Sequence, residues 1–331
     1  MSNLCKISIL VLWMCIKLID AKEDIFKNKF DEIKNLGYSP IVGILTSPEP
    51  FNHKIELYSK GIIEASLVHY IESLGAIIYP ISYLEPEEIL KQKVNKVNLI
   101  VISGIDEFAI DEFNNNHFSK YANASFTILK EAENINNNRT YFPVFALGTG
   151  INLLHYYYIR NYSLASSSIK LGKYFSQLVI THDSLSKSIF FKNMTKDFFF
   201  KLSDDFSICS SFEGKINAKT HLENWGIMNR LQITCISLNS EYNETSVGCA
   251  EDLLFPFFGF SFHPDFPGFD LNKNRKCPYR EITLQMSYYL GNFLANSGRK
   301  GKKFQAQDYD DFKLSSQFFK NLEGNFIYII Y

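Results

Sequence analysis

The sequence predicts an α/β protein, a three-layer sandwich around a mainly parallel central sheet. Short apolar runs closed by turn residues recur along the chain, and amphipathic helical stretches separate them. The 331 residues, 46% hydrophobic with 30 Phe and 19 Tyr, also supply enough apolar side chain for a large core. Strand, helix, strand, helix, strand in that order implies right-handed crossovers onto one sheet. Lys plus Arg total 34 against 35 for Asp plus Glu, a net charge of −1, so no global field draws the chain to nucleic acid or anionic lipid. Global disorder is excluded by the apolar content.

PIVGIL (Pro40–Leu45) has the continuous apolar character of a buried parallel strand. In KGIIEASLVHYIESLG, Ile62, Ile63, Leu67, Tyr70, Ile71 and Leu74 fall at helical spacing, and Gly75 stops the helix. AIIYPI (Ala76–Ile81) is the next strand, LEPEEILKQKV a short acidic-to-basic helix, and NLIVISG (Asn98–Gly104) a third strand. A helix is expected around Phe118–Ala132, followed by a loop over NINNNRT (Asn134–Thr140). YFPVFALGTGINLLHYY then reads as strand, glycine turn and helix, the layout of a nucleophile elbow. The weakly patterned stretch from Ser163 to Glu223 is compatible with β-hairpins. ITCISL (Ile233–Leu238) and FFGFSF (Phe257–Phe262) are later strands, and TLQMSYYLGNFLANSGRK is a closing helix with basic residues at its end.

At the amino terminus Lys6 precedes an apolar run, Ile7–Ile16, with small Ala21 beyond it, the pattern of a secretory signal peptide over residues 1–21. A signal anchor or a buried helix is the alternative, but the run is about half the length that spans a bilayer. A lead-in over 22–38 and one domain over 39–331 complete the expected organisation. Cleavage would remove Cys5 and Cys15 and leave Cys209, Cys235, Cys249 and Cys277, compatible with two disulfides in any of three connectivities. Sequons at Asn123, Asn138, Asn161, Asn193 and Asn243 are expected to place glycan on the surface of a secreted chain. His155, His182, His221 and His263 show no metal-ligand spacing with Cys or carboxylates, and there is no P-loop or dinucleotide fingerprint, so no metal or cofactor is expected.

Four segments, PIVGIL, EASLVHYIESLGAIIYPI, YFPVFALGTGINLL and FPFFGFSFHPD, resemble in order and spacing the gamma-glutamyl hydrolases, secreted or lysosomal folate-polyglutamate hydrolases of the class I glutamine amidotransferase-like (flavodoxin-like) fold. The resemblance runs from about Ser39 to about Phe304. In that family the elbow reads approximately YFPVWGTCLGFE, and its Cys attacks the gamma-glutamyl carbonyl. Here Tyr141, Phe142, Pro143 and Val144 match, Phe145 stands for Trp, and Gly148 falls where the Cys should be. Gly150 matches the second glycine, so the turn is expected to be retained without a nucleophile. Thr149 is next along, but a one-residue shift at an elbow aims its hydroxyl elsewhere.

The resemblance also implies that His263 occupies the general-base position and that Asp265 stands, one methylene shorter, where the family has an orienting Glu. Gly104, Thr149 and Gly150 are the implied substrate and oxyanion positions. The family's Pro-Gly-Gly oxyanion turn is here Ser103, Gly104 and Ile105, and the cleft-facing helix keeps Ala65, Ser66 and Val68 while Leu67 and His69 replace Tyr and Lys. Trp225 lies near a family Trp, with Glu223 in place of the expected His. A Cys side chain plus one hydrogen bond would separate the Gly148 Cα from the imidazole by roughly 6–9 Å.

Three functions are compatible with these residues. The first is a secreted or vacuolar pseudoenzyme that keeps the fold and part of the cleft, with a gamma-glutamyl or folate-like small molecule as its ligand. The second is an active hydrolase of folyl-poly-gamma-glutamates using a displaced nucleophile or water activated by His263. The third is a secreted glycoprotein acting as a binding module. None requires nucleic acid or, after signal cleavage, a membrane, and a homodimer is left open.

Overall fold

Neighbouring residues on each central strand point into different cores. Val42 and Ile44 face one hydrophobic cluster and Ile41 and Leu45 the other; Leu99 and Val101 oppose Ile100 and Ile102; Phe145 and Leu147 oppose Val144 and Ala146. This period-two division is what a strand buried on both faces requires. The strands are β1 (Ile41–Leu45), β3 (Ile77–Ile81), β4 (Leu99–Ser103), β5 (Val144–Leu147) and β10 (Phe257–Phe260). The computed structural model describes residues 38–48, 61–103, 116–159, 174–180, 186–204, 208–210, 230–239, 244–269, 280–301, 316–320 and 326–330.

Helices α1 (Ala65–Ser73) and α7 (Glu281–Lys300) supply Leu67, Val68, Tyr70 and Ile71, and Met286, Leu290 and Leu294, to the first core. Helices α2 (Glu87–Val94), α3 (Asn116–Asn137) and α4 (Gly150–Ile159) supply Leu90, Ile128, Leu129 and Leu154 to the second. The chain is therefore the expected three-layer sandwich. The strand order is β3-β1-β4-β5-β10-β9-β8-β6-β7, parallel from β3 to β10 and antiparallel from there on. The antiparallel extension consists of β6 (Tyr174–Ile180), β7 (Ile208–Ser210), β8 (Leu231–Asn239) and β9 (Glu244–Asp252), with α5 (Lys196–Asp204) between β6 and β7; a short helix α6 (Phe266–Phe269) follows β10. The antiparallel pairing of β6 with β7 is the kind of structure expected in the middle of the chain, whereas β9 was not foreseen.

Two boundaries differ from the sequence reading. Gly61–Glu64 is a strand, β2, and the helix begins only at Ala65. Gly61 has φ +120°, and β2 pairs antiparallel with β12 (Phe326–Ile330), which pairs in turn with β11 (Ser316–Lys320). The apolar pair Ile62 and Ile63 fits either period, and pairing with a distant segment decides it. Helix α3 continues through Asn137, where a loop was expected. Asn136 accounts for this: its side chain donates to Phe142 O at 2.8 Å and accepts from Phe142 N at 3.0 Å, tying the helix end to the entrance of β5.

Candidate active site

Strands β4, β5 and β10 end side by side, with Ser103 paired to Leu147 and Leu147 to Phe260, so the segments that follow them meet at one carboxyl edge of the sheet. After β5 the chain turns through Gly148 and Thr149 into α4. Gly148 has φ +56°, the left-handed conformation that an elbow needs and glycine adopts without strain. At Gly150 a Cβ would collide with the carbonyl oxygen of Ile102, so the close approach of α4 to β4 demands glycine there as well. Both glycines of the expected turn thus have a steric reason.

After β10, Ser261 N donates to Gly248 O at 2.8 Å, and the chain then presents His263, Pro264 and Asp265. The imidazole of His263 is 2% exposed and stacks on Phe266 with ring centroids 4.3 Å apart and planes 6° from parallel. It sits directly against Gly148. A Cβ built on Gly148 would lie 2.8 and 2.9 Å from Cε1 and Cδ2 and would overlap Nε2. The gap of roughly 6–9 Å expected for a thiol and its hydrogen bond is therefore not there, because nothing at position 148 holds the ring away.

Asp265 is fully buried. Its Oδ1 lies 3.5 Å from His263 Nδ1, and its Oδ2 accepts a 2.6 Å hydrogen bond from Ser66 on α1. The loop is anchored to the opposite helix by Ser287, whose Oγ donates to Pro264 O, while Tyr70 donates to Ser287 O at 2.7 Å. Burial, reinforced by the charge of Asp265, holds the Tyr70 hydroxyl well above its usual pKa, so it remains a donor. Beside β4, Tyr121 and Ser47 both donate to Ser103 O, at 2.5 and 3.1 Å.

Sequence reasoning missed Glu64. One ligand-type atom each from Glu64, His263 and Asp265 falls within 4.8 Å of the others, so a half-buried carboxylate joins the histidine and aspartate. Glu64 lies about 200 positions before the other two, a separation that no local spacing rule can detect. The three are the group among the described residues that could hold a metal ion. The only hint in the sequence is that Glu64 immediately precedes the Ala65-Ser66 pair of the cleft-facing run.

Thr149, the second residue of the turn, is buried. Gly104, Ile105, Glu223 and Trp225, with sequon residues Asn161 and Asn243, lie outside the described residues. Asn123, Asn138 and Asn193 are exposed, and Asn123 lines a cavity of about 760 Å³ with Tyr83, Lys120, Lys130 and Tyr157, none of them part of the His263 cluster. Among the described residues no helix is long and apolar enough to cross a membrane.

No protein-family model matches the chain. Gamma-glutamyl hydrolase 2 of Arabidopsis thaliana is 25% identical over 272 residues, covering 80% of this chain and 74% of that protein. Gamma-glutamyl hydrolase B of Dictyostelium discoideum is 22% identical over 277 residues (83% and 77%), and gamma-glutamyl hydrolase of Mus musculus 24% over 265 (79% and 78%). Among solved structures, a putative GMP synthase component from Thermoplasma acidophilum aligns with TM-score 0.44 at 12% identity, covering 79% of this chain and 94% of that one. The Trypanosoma brucei CTPS glutaminase domain aligns with TM-score 0.48 at 12% identity (81% and 97%). About four fifths of its length is matched by proteins of one name from Arabidopsis thaliana to Mus musculus, so the chain is similar to the gamma-glutamyl hydrolases over most of its sequence.

Proposed function

We propose that this chain is a gamma-glutamyl hydrolase-like pseudoenzyme, keeping the fold and part of the cleft without the thiol chemistry. One observation carries the reading. The elbow keeps its left-handed turn, but residue 148 is a glycine and the His263 ring occupies the space where a nucleophile's side chain would start. Acyl transfer through a covalent intermediate needs a nucleophile within hydrogen-bond reach of its base and aimed at the carbonyl. Thr149 does not replace it, being one residue along a turn whose geometry presents position 148.

The cluster of Glu64, His263 and Asp265 favours one competing reading, direct hydrolysis by a water held between the imidazole and a carboxylate. Without covalent catalysis, what remains is the small fraction of rate that binding and backbone donors supply. The ligand of the pseudoenzyme is a gamma-glutamyl or folate-like small molecule, by its likeness to the hydrolases. The short apolar run Ile7–Ile16 and the sequons support passage through the secretory pathway to the cell exterior or a vacuolar compartment.

Incubating the purified chain with a gamma-glutamyl oligopeptide and separating the products tests the reading. No hydrolysis above the buffer blank is expected, with or without a thiol-alkylating reagent. Robust turnover abolished by His263→Ala would overturn it in favour of the water mechanism.

A further inference from the structure

Cys235 and Cys249 face each other directly across β8 and β9, in register as a cross-strand pair, with both side chains buried and their sulfurs 2.7 Å apart as free thiols. We propose that these two cysteines are a disulfide pair, one bridge out of the three connectivities that the four cysteines after residue 21 permit. The local backbone is arranged for it. The register slips on both sides of Cys235, from Ile233 paired with Ala250 to Ile236 paired with Val247, leaving Thr234 and Gly248 as the extra residues of the two strands. Gly248 makes the necessary room, since a Cβ there would stand 2.7 Å from the Cys235 sulfur. Among the described residues the hydrogen bond that these two thiols make is with each other, and they gain little from being buried in contact. A covalent bridge removes the crowding.

Forming the bridge removes two protons and two electrons from the pair. An accessible disulfide, such as glutathione disulfide, accepts them: one cysteine thiolate attacks it and releases one thiol, then the second cysteine displaces the other. Burial pushes the Cys249 thiol well above its ordinary pKa, with Cys235 and Glu251 adding to the effect, so its thiolate is scarce once both side chains are buried in the finished fold. The bridge therefore closes while β8 and β9 are still pairing. Its role is to tie β8 to β9, the strand that pairs with β10 and so with the segment leading to His263.

The test is to refold the full chain in a mixture of reduced and oxidised glutathione, alkylate it in denaturant and map the cysteines. Trypsin leaves both cysteines on one peptide because no Lys or Arg lies between Arg230 and Lys273, so cleavage at Glu241, Glu244 and Glu251 is needed. The expected product joins the Cys235 and Cys249 peptides and is split by reductant, and the intact mass rises by one alkyl group for each thiol that reduction exposes. Reduction, or Cys235→Ser with Cys249→Ser, should lower the melting temperature by about 5–10 °C. Alkylation of both residues without reduction overturns the proposal, and so does either of them linked to Cys209 or Cys277. A variant that does not fold leaves the peptide map of the natural chain as the deciding result.

Discussion

The imidazole of His263 rests against the backbone of Gly148, in the space that the first carbon of a side chain at 148 would need. Residues 148 and 263 are thus in direct contact, and the ring is held there by its stack on Phe266. Restoring a thiol is consequently more than a matter of adding sulfur.

Gly148→Cys is expected to recover at most weak gamma-glutamyl hydrolysis. The new Cβ must displace the imidazole from its stack, and a non-glycine residue at φ +56° costs about 1–2 kcal/mol by itself. Gly148→Ala should show the same loss of stability, at least about 1–2 kcal/mol in denaturant unfolding, with no gain of activity. A Gly148→Cys protein as stable as the natural one and fully active would mean that the ring swings aside freely.

The expected turn at Gly148–Gly150 and the placing of His263 just after the neighbouring strand were legible because glycine spacing and the FHPD block are local signals. The parallel half of the sheet was legible for the same reason: each strand is a short apolar run, and its alternation between two cores follows from burial on both faces. Glu64 and the Ser66–Asp265 bond were not, since they depend on β2 and α1 meeting a segment nearly 200 positions away. Strand β9 escaped notice because Glu251 and Asp252 make its end look like a charged loop, although both carboxylates are buried. Tertiary pairing, with Ser188 for Glu251 and Arg230 for Asp252, overrides that appearance.

Ser66→Ala should cost about 1–3 kcal/mol, because it removes the hydroxyl that hydrogen-bonds a fully buried carboxylate while leaving the carboxylate in place. Asp265→Asn in the same background should recover part of that loss, and the two changes should be non-additive in urea unfolding. Additive effects would show that Ser66 and Asp265 do not interact in the folded chain.

Expressed through a eukaryotic secretory route, the protein should begin near residue 22, and a glycosidase should increase its gel mobility. Asn138 and Asn193 are the favoured sites among the described residues, both exposed and close to the end of a helix or a single turn. Asn138→Gln with Asn193→Gln should abolish most of the shift that these two positions carry. An intact Met1 on a chain whose mobility the glycosidase does not change would refute both parts.

Glu251 gives the fold a pH dependence of definite sign. Burial raises its pKa above 4.5, while hydrogen bonds from Ser188, Ile189 and Phe190 and the charge of Lys192 oppose the rise without cancelling it. Below about 4.5 the carboxyl is protonated in both the folded and the unfolded chain and makes no difference between them. As the pH climbs from there to the folded pKa, the unfolded chain gives up this proton first, so stability falls across that window and is then level. Nearby groups do not mask the effect: Tyr289 is itself pushed up to about 12, and Cys249 has no thiol proton in the bridged chain and is raised above a thiol's ordinary value in the reduced one. Glu251→Gln removes the titration but must turn its amide nitrogen toward at least one of the donors that the carboxylate now accepts from, at a pH-independent cost of about 1–3 kcal/mol. The measurement is urea unfolding of both proteins from about pH 4 to about pH 7.5. The stability advantage of the natural chain over the variant should shrink as the pH rises through the window above 4.5. An advantage that grows with pH would mean that the buried carboxylate is stabilised by its donors more than it is penalised by its burial.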